Sequence, residues 1–236
     1  MAGRGYQKAG GALPMTVTLR AEWTRPAQLP PDGLHVWRIV LSGRTAPGEP
    51  VTLPGDEAVR ARRLVDPKAR SRFLALRHAT RAILARYVRS TPAALRFARE
   101  ARGKPILVEP RTDWAFNLTD SRDLALLAVS RIGAVGIDLE HLRAVARRDG
   151  IARRMFGEDM VAELARSPPA ERDTLFFRRW TAFEALQKAT GAGLAGPRAD
   201  PDDWHVRHFV PAPGCLAALA HRAAIDPEIH YFSFPD

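Results

Sequence analysis

The chain has 236 residues, 46% hydrophobic and 26% charged, which is typical of a globular protein with one large domain or two halves of ordinary size. No apolar run approaches the roughly 18 to 20 residues of a membrane span, and the single cysteine, Cys215, excludes an internal disulfide, so we expect a cytoplasmic protein. The formal net charge of +10 indicates a phosphate-rich or acidic partner.

The positive charge is concentrated in one segment. Between Glu57 and Lys104 there are 14 lysines and arginines against three acids, a local charge of +11, so the rest of the chain sums to −1 (10 − 11). Nucleic acid, a membrane surface, a nucleotide-like cofactor or an acidic protein could each match such a segment, and so could a solvated basic face without a partner. The charge distribution alone does not decide between these alternatives.

The first predicted elements are a strand and a long helix. Residues 1–15 are expected to form a flexible leader, and the first strand is expected at 35–41. From 68 to 89, apolar side chains recur at helical spacing and predict a helix. Three arginines follow one edge of its apolar stripe, where packing would order them for gripping a phosphate: Arg70, Arg77 and Arg81.

The second half of the chain predicts a mixture of short strands and helices. Strands are expected at 106–108, 116–118, 124–130 and 135–140, the last three as a meander, then helices at 151–156 and 173–189, then strands at 204–210 and 215–221. Gly191 and Gly193 are expected to end the second of these helices. This order of elements predicts an α+β fold rather than a doubly wound sheet.

Two of these elements carry the residues of a predicted metal and phosphate site. Side chains alternate along a strand, so Asp138 and Glu140 would share one face while their neighbours enter the core. Glu184 and Lys188 lie four residues apart and would share a helix face with Trp180. Mg²⁺ binds few protein carboxylates and completes its shell with water and substrate phosphates, which suits this set. Each pair alone is also common on solvated surfaces.

Four motifs, in order along the chain, resemble those of a known family. They are Arg102-Gly103-Lys104-Pro105, Phe116-Asn117-Leu118-Thr119-Asp120-Ser121, Gly136-Ile137-Asp138-Leu139-Glu140 and Trp180-Thr181-x-x-Glu184-Ala185-x-x-Lys188-x-x-Gly191-x-Gly193-Leu194. With their spacing kept over residues 34–210, they resemble the 4'-phosphopantetheinyl transferases of the surfactin-synthetase-activating type. The resemblance implies a pseudo-dimer of two similar α+β halves on one chain, with the active site in the cleft between them. The halves would be 16–133, which is basic and binds coenzyme A phosphates, and 134–236, which is metal-binding and catalytic.

The family's reaction implies roles for individual residues. A serine of an acyl or peptidyl carrier protein attacks the β-phosphate of coenzyme A in the presence of Mg²⁺, takes the phosphopantetheine arm and releases adenosine 3',5'-bisphosphate. The implied metal ligands are Asp138, Glu140 and Glu184, and the implied catalytic residues are Glu184, Lys188 and Asp138. The implied coenzyme A contacts are Arg60, Arg70, Arg77, Arg81, Lys104, Pro105, Thr119, Asp120 and Lys188. Carrier proteins are typically acidic, which suits the basic first half. Because both halves lie on one chain, a monomer would be enough to form the active site.

Three positions depart from the family's pattern. Phe183 stands where lysine is usual, Asp120 where histidine is usual, and Met160 where an acid is common. Asp120 and Phe183 predict looser binding of coenzyme A, and the three departures together keep a weakened or inactive carrier-binding module as an alternative. A nucleic-acid-binding protein is a further alternative, disfavoured because no aromatic-rich stacking surface accompanies the arginines. The resemblance therefore implies neither a nucleic acid nor a membrane as partner.

Overall fold

The computed structural model of the protein describes residues 19–41, 53–193, 203–222 and 227–235, so the expected leader at 1–15 lies outside the described residues. The strands are β1 Leu19–Arg20, β2 Leu34–Val40, β3 Arg96–Arg99, β4 Pro105–Glu109, β5 Ala115–Ser121, β6 Leu124–Ser130, β7 Val135–His141, β8 His205–Val210, β9 Cys215–His221 and β10 Ile229–Ser233. The α-helices are α1 Gly55–Arg63, α2 Pro67–Tyr87, α3 Arg148–Phe156, α4 Glu158–Arg166 and α5 Arg172–Thr190. The predicted α+β class is confirmed.

The strands form two four-stranded sheets and one small hairpin. The first sheet has the order β10-β2-β6-β5, the second β1-β8-β9-β7, and β3 pairs with β4 alone. In each large sheet one outer pair is parallel, β10 with β2 and β1 with β8, and the other pairs are antiparallel. A strand from the end of the chain therefore completes the first sheet, and one from its start joins the second.

The predicted meander is wrong at its third strand. β5 and β6 form the expected antiparallel pair, but β7 joins β9 in the second sheet. Both edges of β6 are already hydrogen-bonded, by β2 on one side and β5 on the other. β7 consequently has no edge of β6 to pair with.

Alternation of side chains along the strands produces a four-layer arrangement. Residues of one parity on both large sheets pack against each other: Leu34, Val36, Leu126, Ala128, Ile137, Leu139, Phe209 and Leu219. On the outer face of the first sheet, Trp37 and Leu127 pack against Ile83 and Leu84 of α2. α5 covers the outer face of the second sheet. β6 is buried along its whole length because both of its faces are covered.

Local sequence sets the ends of the two long helices. Asp66 caps α2 by accepting hydrogen bonds from the backbone N–H groups of Lys68 and Ala69, and Pro67 occupies the first turn. α5 ends at Gly191, which adopts the left-handed conformation at φ 69°, as the sequence predicts. No helix within the described residues combines the length and apolar character needed to cross a membrane.

Candidate active site

The outer strands β5 and β7 of the two large sheets are linked by side chains. Alternate residues of β5, namely Asn117, Thr119 and Ser121, contact Ile137, Asp138 and His141 of β7 in that order. In the closest of these contacts, Asn117 Oδ1 accepts the backbone N–H of Ile137 at 2.9 Å. The segment predicted to hold coenzyme A is thereby fixed against the predicted metal-binding strand.

A glycine on β7 lets helix α5 lie directly on the strand backbone. A Cβ at Gly136 would be 2.0 Å from the carbonyl oxygen of Ala185 and 2.4 Å from the nitrogen of Ala189. Only glycine allows this approach. The close contact brings the face of α5 that carries Glu184 and Lys188 over β7.

Lys188, Asp138 and Thr119 form a compact polar group at this junction. The Lys188 Nζ donates to Asp138 Oδ1 at 2.6 Å and to Thr119 Oγ1 at 3.3 Å, and Thr119 Oγ1 lies 3.4 Å from Asp138 Oδ1. The Asp138 side chain is only 8% exposed, and its Oδ2 atom is buried without a hydrogen-bond partner. A buried carboxylate oxygen left without a partner is a candidate ligand atom.

The acidic residues of the site influence one another electrostatically. Burial raises the pKa of Asp138, the Lys188 ammonium opposes that rise, and Glu140 adds to it. Burial also raises the pKa of Glu184, reinforced by Asp138 and Glu140 and opposed by Lys188. A bound cation would favour the ionised forms of Asp138 and Glu184, which share the single ammonium of Lys188 as an opposing charge.

Glu140 forms an ion pair with an arginine. Its Oε2 accepts a hydrogen bond from Arg143 Nη1 at 2.9 Å. Across the ranges that the structure describes, no three histidine, cysteine, aspartate or glutamate side chains converge in a metal-binding arrangement. The structure thus unites Asp138 and Lys188, places Glu184 within their electrostatic reach, and turns Glu140 toward Arg143.

A cavity of about 450 Å³ lies between α1, α2 and the β3–β4 hairpin. Its wall contains five arginines, two aromatic rings and one predicted contact residue from β4: Arg60, Arg77, Arg81, Arg96, Arg99, Phe73, Phe97 and Pro105. The guanidinium groups of Arg60 and Arg77 lie over the Phe73 ring at 5.5 and 5.3 Å. Burial lowers the pKa of Arg77, and the nearby Arg60, Arg99 and Arg81 act in the same direction against Glu57.

All three guanidinium nitrogens of Arg81 are engaged by the protein itself, whereas Arg96 and Arg99 each use one nitrogen on backbone carbonyl oxygens. Its Nε and Nη2 contact Glu57 Oε2 at 2.8 and 2.7 Å, and its Nη1 donates to the carbonyl oxygens of Pro92 and Leu95. Glu57 Oε1 also lies 3.7 Å from Arg77 Nε. Glu57 is not among the predicted site residues. An acid within so basic a segment could have indicated an ion pair with the neighbouring arginines.

Lys104 contacts the end of α5. Its Nζ donates to the carbonyl oxygens of Ala189 at 3.0 Å and Val135 at 3.4 Å, and burial lowers its pKa. The neighbouring Pro105 lines the cavity. The β3–β4 hairpin therefore connects the arginine-rich cavity with the helix that carries Lys188.

Arg70 and Asp120 also have partners within the protein. Arg70 donates twice to the carbonyl oxygen of Leu64, at 3.0 and 2.7 Å, and closes the junction between α1 and α2. Asp120 is 47% exposed and lies 3.6 Å from Arg72 Nη2. The structure does not place Arg70 among the residues that line the cavity.

Comparisons with known proteins identify relatives of this chain. The family model described as 4'-phosphopantetheinyl transferase superfamily matches residues 134–232. The 4'-phosphopantetheinyl transferase HetI of Nostoc sp. (strain PCC 7120) is 35% identical over 207 residues, which are 80% of this chain and 87% of HetI. A Synechocystis sp. protein provisionally named as a 4'-phosphopantetheinyl transferase is 34% identical over 164 residues, 69% of this chain and 66% of its own.

A shorter similarity covers mainly one part of the chain. The 4'-phosphopantetheinyl transferase AcpT of Escherichia coli O157:H7 is 36% identical over 90 residues, 38% of this chain and 46% of AcpT. The similarity to HetI, in contrast, extends along most of both chains. On that basis this protein belongs to the 4'-phosphopantetheinyl transferase superfamily, a family of transferases.

Proposed function

We propose that this protein transfers the 4'-phosphopantetheine arm of coenzyme A to a serine of an acyl or peptidyl carrier protein. The serine oxygen forms a bond to the β-phosphorus, the bond from that phosphorus to the bridging oxygen breaks, and adenosine 3',5'-bisphosphate leaves. The observation that carries the proposal is the contact of Lys188 with Asp138 and Thr119, beside Glu184, in a chain of this superfamily. Such transfer relies on positioning and charge neutralisation.

Glu184 and the three side chains of the polar group have distinct roles in this proposal. Glu184 accepts the serine proton, a role that suits a carboxylate whose pKa is raised by burial. Lys188 places its ammonium against the pyrophosphate, where negative charge accumulates on the leaving group. Asp138 and Thr119 hold the ammonium in position, at 2.6 and 3.3 Å.

The acidic residues fit a divalent cation in their chemistry. Asp138 Oδ2 is buried without a partner, and the pKa values of Asp138 and Glu184 are raised by burial and by their acidic neighbours. We propose that Asp138, Glu140 and Glu184 hold Mg²⁺. Glu140 would leave Arg143 in order to bind the ion. When bound, the ion supplies Lewis-acid stabilisation of the pyrophosphate oxygens.

The arginine-lined cavity is proposed to receive the adenosine bisphosphate end of coenzyme A. Its volume of about 450 Å³ is in the usual range for small-molecule sites, and it combines guanidinium groups with aromatic rings. Arg60 and Arg77 would contact phosphate, while Arg81, whose donors are occupied, would keep the wall in shape. Lys104 would contact a phosphate only if its Nζ left the carbonyl oxygens of Ala189 and Val135.

Two similar halves, 16–133 and 134–236, are part of the proposal. The two large sheets support it, since each has one parallel outer pair followed by antiparallel strands. Thr119 comes from the first half, and Asp138 and Lys188 come from the second. A chain that carries both halves needs no second subunit to complete the site, so a monomer is proposed as the active form.

The direct test is the mass of carrier proteins after reaction. Apo acyl and peptidyl carrier proteins are incubated with the enzyme, coenzyme A and Mg²⁺, and intact-protein mass spectrometry should show the added phosphopantetheine arm. Lys188→Met should slow the reaction about 10²- to 10³-fold through loss of transition-state charge stabilisation. Lys68→Met, at an exposed position of α2, is the control. No mass gain on any carrier with the unmodified protein would refute the proposed function.

Asp120 provides a second prediction, on affinity for coenzyme A. Its carboxylate lies on β5 next to Thr119, so replacing it with asparagine or histidine should tighten coenzyme A binding several-fold by removing a like charge. Asp123→Asn is a matched control because Asp123 contacts the same Arg72, at 3.8 Å, and is more exposed. Titration calorimetry measures both variants. Equal affinities for wild type and Asp120→Asn would contradict the prediction.

A further inference from the structure

β5 and β7 lie beside each other as outer strands of two different sheets. Within the described residues, the backbone of β5 is hydrogen-bonded along its length to β6 alone and that of β7 to β9 alone. In an outer strand every second backbone N–H and C=O points away from its own sheet, and a buried group of this kind needs another partner. The junction between the two sheets therefore depends on side chains to satisfy these groups.

The Asn117 side chain supplies a hydrogen bond that strand pairing would otherwise make. Asn117 is only 5% exposed, and its Oδ1 accepts the backbone N–H of Ile137 at 2.9 Å. That distance is typical of a hydrogen bond between paired strands, although the acceptor here is a side-chain amide. Of the three contacts between β5 and β7 described above, it is the one that reaches the backbone of β7. It therefore fixes how far the two strands are displaced along each other.

The displacement of β5 along β7 decides which side chains meet at the candidate active site. Thr119 follows Asn117 by two residues, so its side chain leaves β5 on the same side. Its Oγ1 lies 3.4 Å from Asp138 Oδ1 and 3.3 Å from Lys188 Nζ. Sliding β5 along β7 by one residue, about 3.3 Å, would carry Thr119 out of reach of both groups. The bond made by Asn117 resists such sliding.

We propose that Asn117 is a positioning residue for the transfer reaction, which aligns β5 with β7 through its bond to Ile137. This proposal rests on the proposed function, because the geometry that Asn117 sets is that of Asp138 and Lys188. Ile137 directly precedes Asp138, so a shift of the Ile137 backbone moves the Asp138 carboxylate. Asn117 thus acts through the backbone of β7 and through Thr119, which meets Asp138 and Lys188 two residues farther along β5.

The first test compares two replacements of similar size. Asn117→Leu removes the acceptor and should lower kcat about 10- to 100-fold, because a small misplacement of the reacting groups slows the reaction strongly. Asn117→Asp keeps an acceptor oxygen at the same position and should retain kcat within about fivefold of the unmodified protein. In the leucine variant, coenzyme A affinity measured by calorimetry should change less than about threefold, since the arginine-lined cavity lies on other elements. Asn117→Ser, whose hydroxyl is too short to reach Ile137, should also lower kcat and serves if the leucine variant folds poorly.

Hydrogen exchange measured by NMR provides a second readout that does not depend on turnover. In the unmodified protein the Ile137 amide should be protected from exchange, because Asn117 accepts its hydrogen. In the leucine variant this amide should exchange at least about tenfold faster, while the amides of β6 keep their rates. The aspartate variant should restore the protection. An unprotected Ile137 amide in the unmodified protein would overturn the proposal.

Ser130→Ala is the matched control for a bond of the same kind away from the site. The buried Ser130 Oγ also accepts a backbone N–H, that of Ile132 at 3.2 Å, and Ser130 pairs with Ala115 at the far end of β5 from Thr119. The control should lower stability to urea without lowering kcat. An unchanged kcat in the leucine variant, an aspartate variant as slow as the leucine variant, or an equal loss of kcat in the control would overturn the positioning role. Inactivity of the unmodified enzyme on every carrier protein would instead refute the proposed function.

Discussion

Gly136 controls how closely helix α5 approaches strand β7. The space that a Cβ would need at this position is filled by the backbone of α5, at 2.0 Å from Ala185 and 2.4 Å from Ala189. The contact involves backbone atoms, which cannot rotate away as a side chain could. Any residue larger than glycine must therefore push α5, and Lys188 with it, away from Asp138.

The Gly136→Ala variant should disturb this close approach. We expect it to lower the free energy of unfolding by about 1–3 kcal/mol through overpacking, and to slow transfer at least tenfold as Lys188 moves from Asp138. Gly150→Ala is the matched control, because Gly150 lies in α3 with open space around its Cβ position, and it should be neutral or slightly stabilising. Urea unfolding and carrier loading measure both effects. A Gly136→Ala protein with wild-type stability would contradict the close approach.

The elements predicted well from the sequence are those with strong apolar patterns. The strands β6 and β9 have their predicted bounds, and α5 differs from its predicted range by one residue at each end. The capping residues Asp66 and Gly191 act locally, so their effect can be recognised without tertiary information. Local pattern and local capping are sufficient for these elements.

The elements that the sequence did not predict depend on distant partners. β3 is a charged, partly exposed strand, and only its pairing with β4 orders it. β10 pairs with β2 from nearly two hundred residues away in the chain. α1 begins at Gly55, directly after Pro54, and buries only Ala61, so its pattern resembles that of a loop. Non-local pairing leaves no periodic signal in such short segments.

The candidate site was predictable in composition but not in its contacts. Strand alternation and helical spacing predict that Asp138 and Glu140 share one face of β7 and that Glu184 and Lys188 share one face of α5, and the structure brings Asp138 and Lys188 into contact. Which cation pairs with each acid depends on tertiary neighbours. The ion pair between Arg81 and Glu57 could not be derived from spacing alone. The patterns identify the residues, and the packing of elements assigns their partners.

The β3–β4 hairpin acts on α5 through Lys104, and this element-level contact gives a prediction. Since Lys104 Nζ contacts the carbonyl oxygens of Ala189 and Val135, Lys104→Met should loosen the end of α5, lower kcat severalfold and change coenzyme A affinity by less than about threefold. Kinetics and calorimetry separate the two effects. Lys68→Met should change neither quantity.

The opposite result would assign Lys104 directly to the phosphates. A loss of coenzyme A affinity of tenfold or more in Lys104→Met, with kcat unchanged at saturation, would show that the ammonium leaves its carbonyl partners when coenzyme A binds. That outcome would favour the role implied by the family resemblance over the contact seen in the structure.

The whole molecule is closed by strands from opposite ends of the chain. β1 pairs with β8 of the second sheet, and β10 pairs with β2 of the first. On β10, Phe232 packs against Trp37 with ring centroids 5.0 Å apart, within the core under α2. Because each sheet depends on a strand from the distant end of the chain, we expect both sheets to unfold together.

A buried histidine lies where β2, β10 and α2 meet. His35 is fully buried, its Nδ1 lies 2.8 Å from the hydroxyl of Tyr87, and that hydroxyl accepts a hydrogen bond from Trp37 Nε1 at 2.7 Å. A neutral imidazole can accept the Tyr87 O–H at Nδ1 while the same hydroxyl accepts from the indole N–H. Burial lowers the pKa of His35 to about 4, and the nearby His230 acts in the same direction.

The lowered pKa of His35 predicts how the stability of the whole molecule depends on pH. Between the ordinary histidine pKa of 6.5 and the folded-state value of about 4, the unfolded chain binds a proton that the folded protein excludes. The free energy of unfolding should therefore fall as pH decreases through this window, by about 3 kcal/mol from this residue, and the loss should level off below pH 4. Urea unfolding at several pH values measures the slope.

Comparison with His35→Gln isolates the contribution of this residue. The variant should lose stability at neutral pH, because the Tyr87 contact is altered, yet its curve should be flatter between pH 6.5 and 4 than that of wild type. His205→Gln, at an exposed position, should keep the wild-type slope. Parallel curves for wild type and His35→Gln would mean that His35 does not supply the pH dependence. The remaining slope would then be assigned to other buried histidines such as His208, whose pKa burial also lowers.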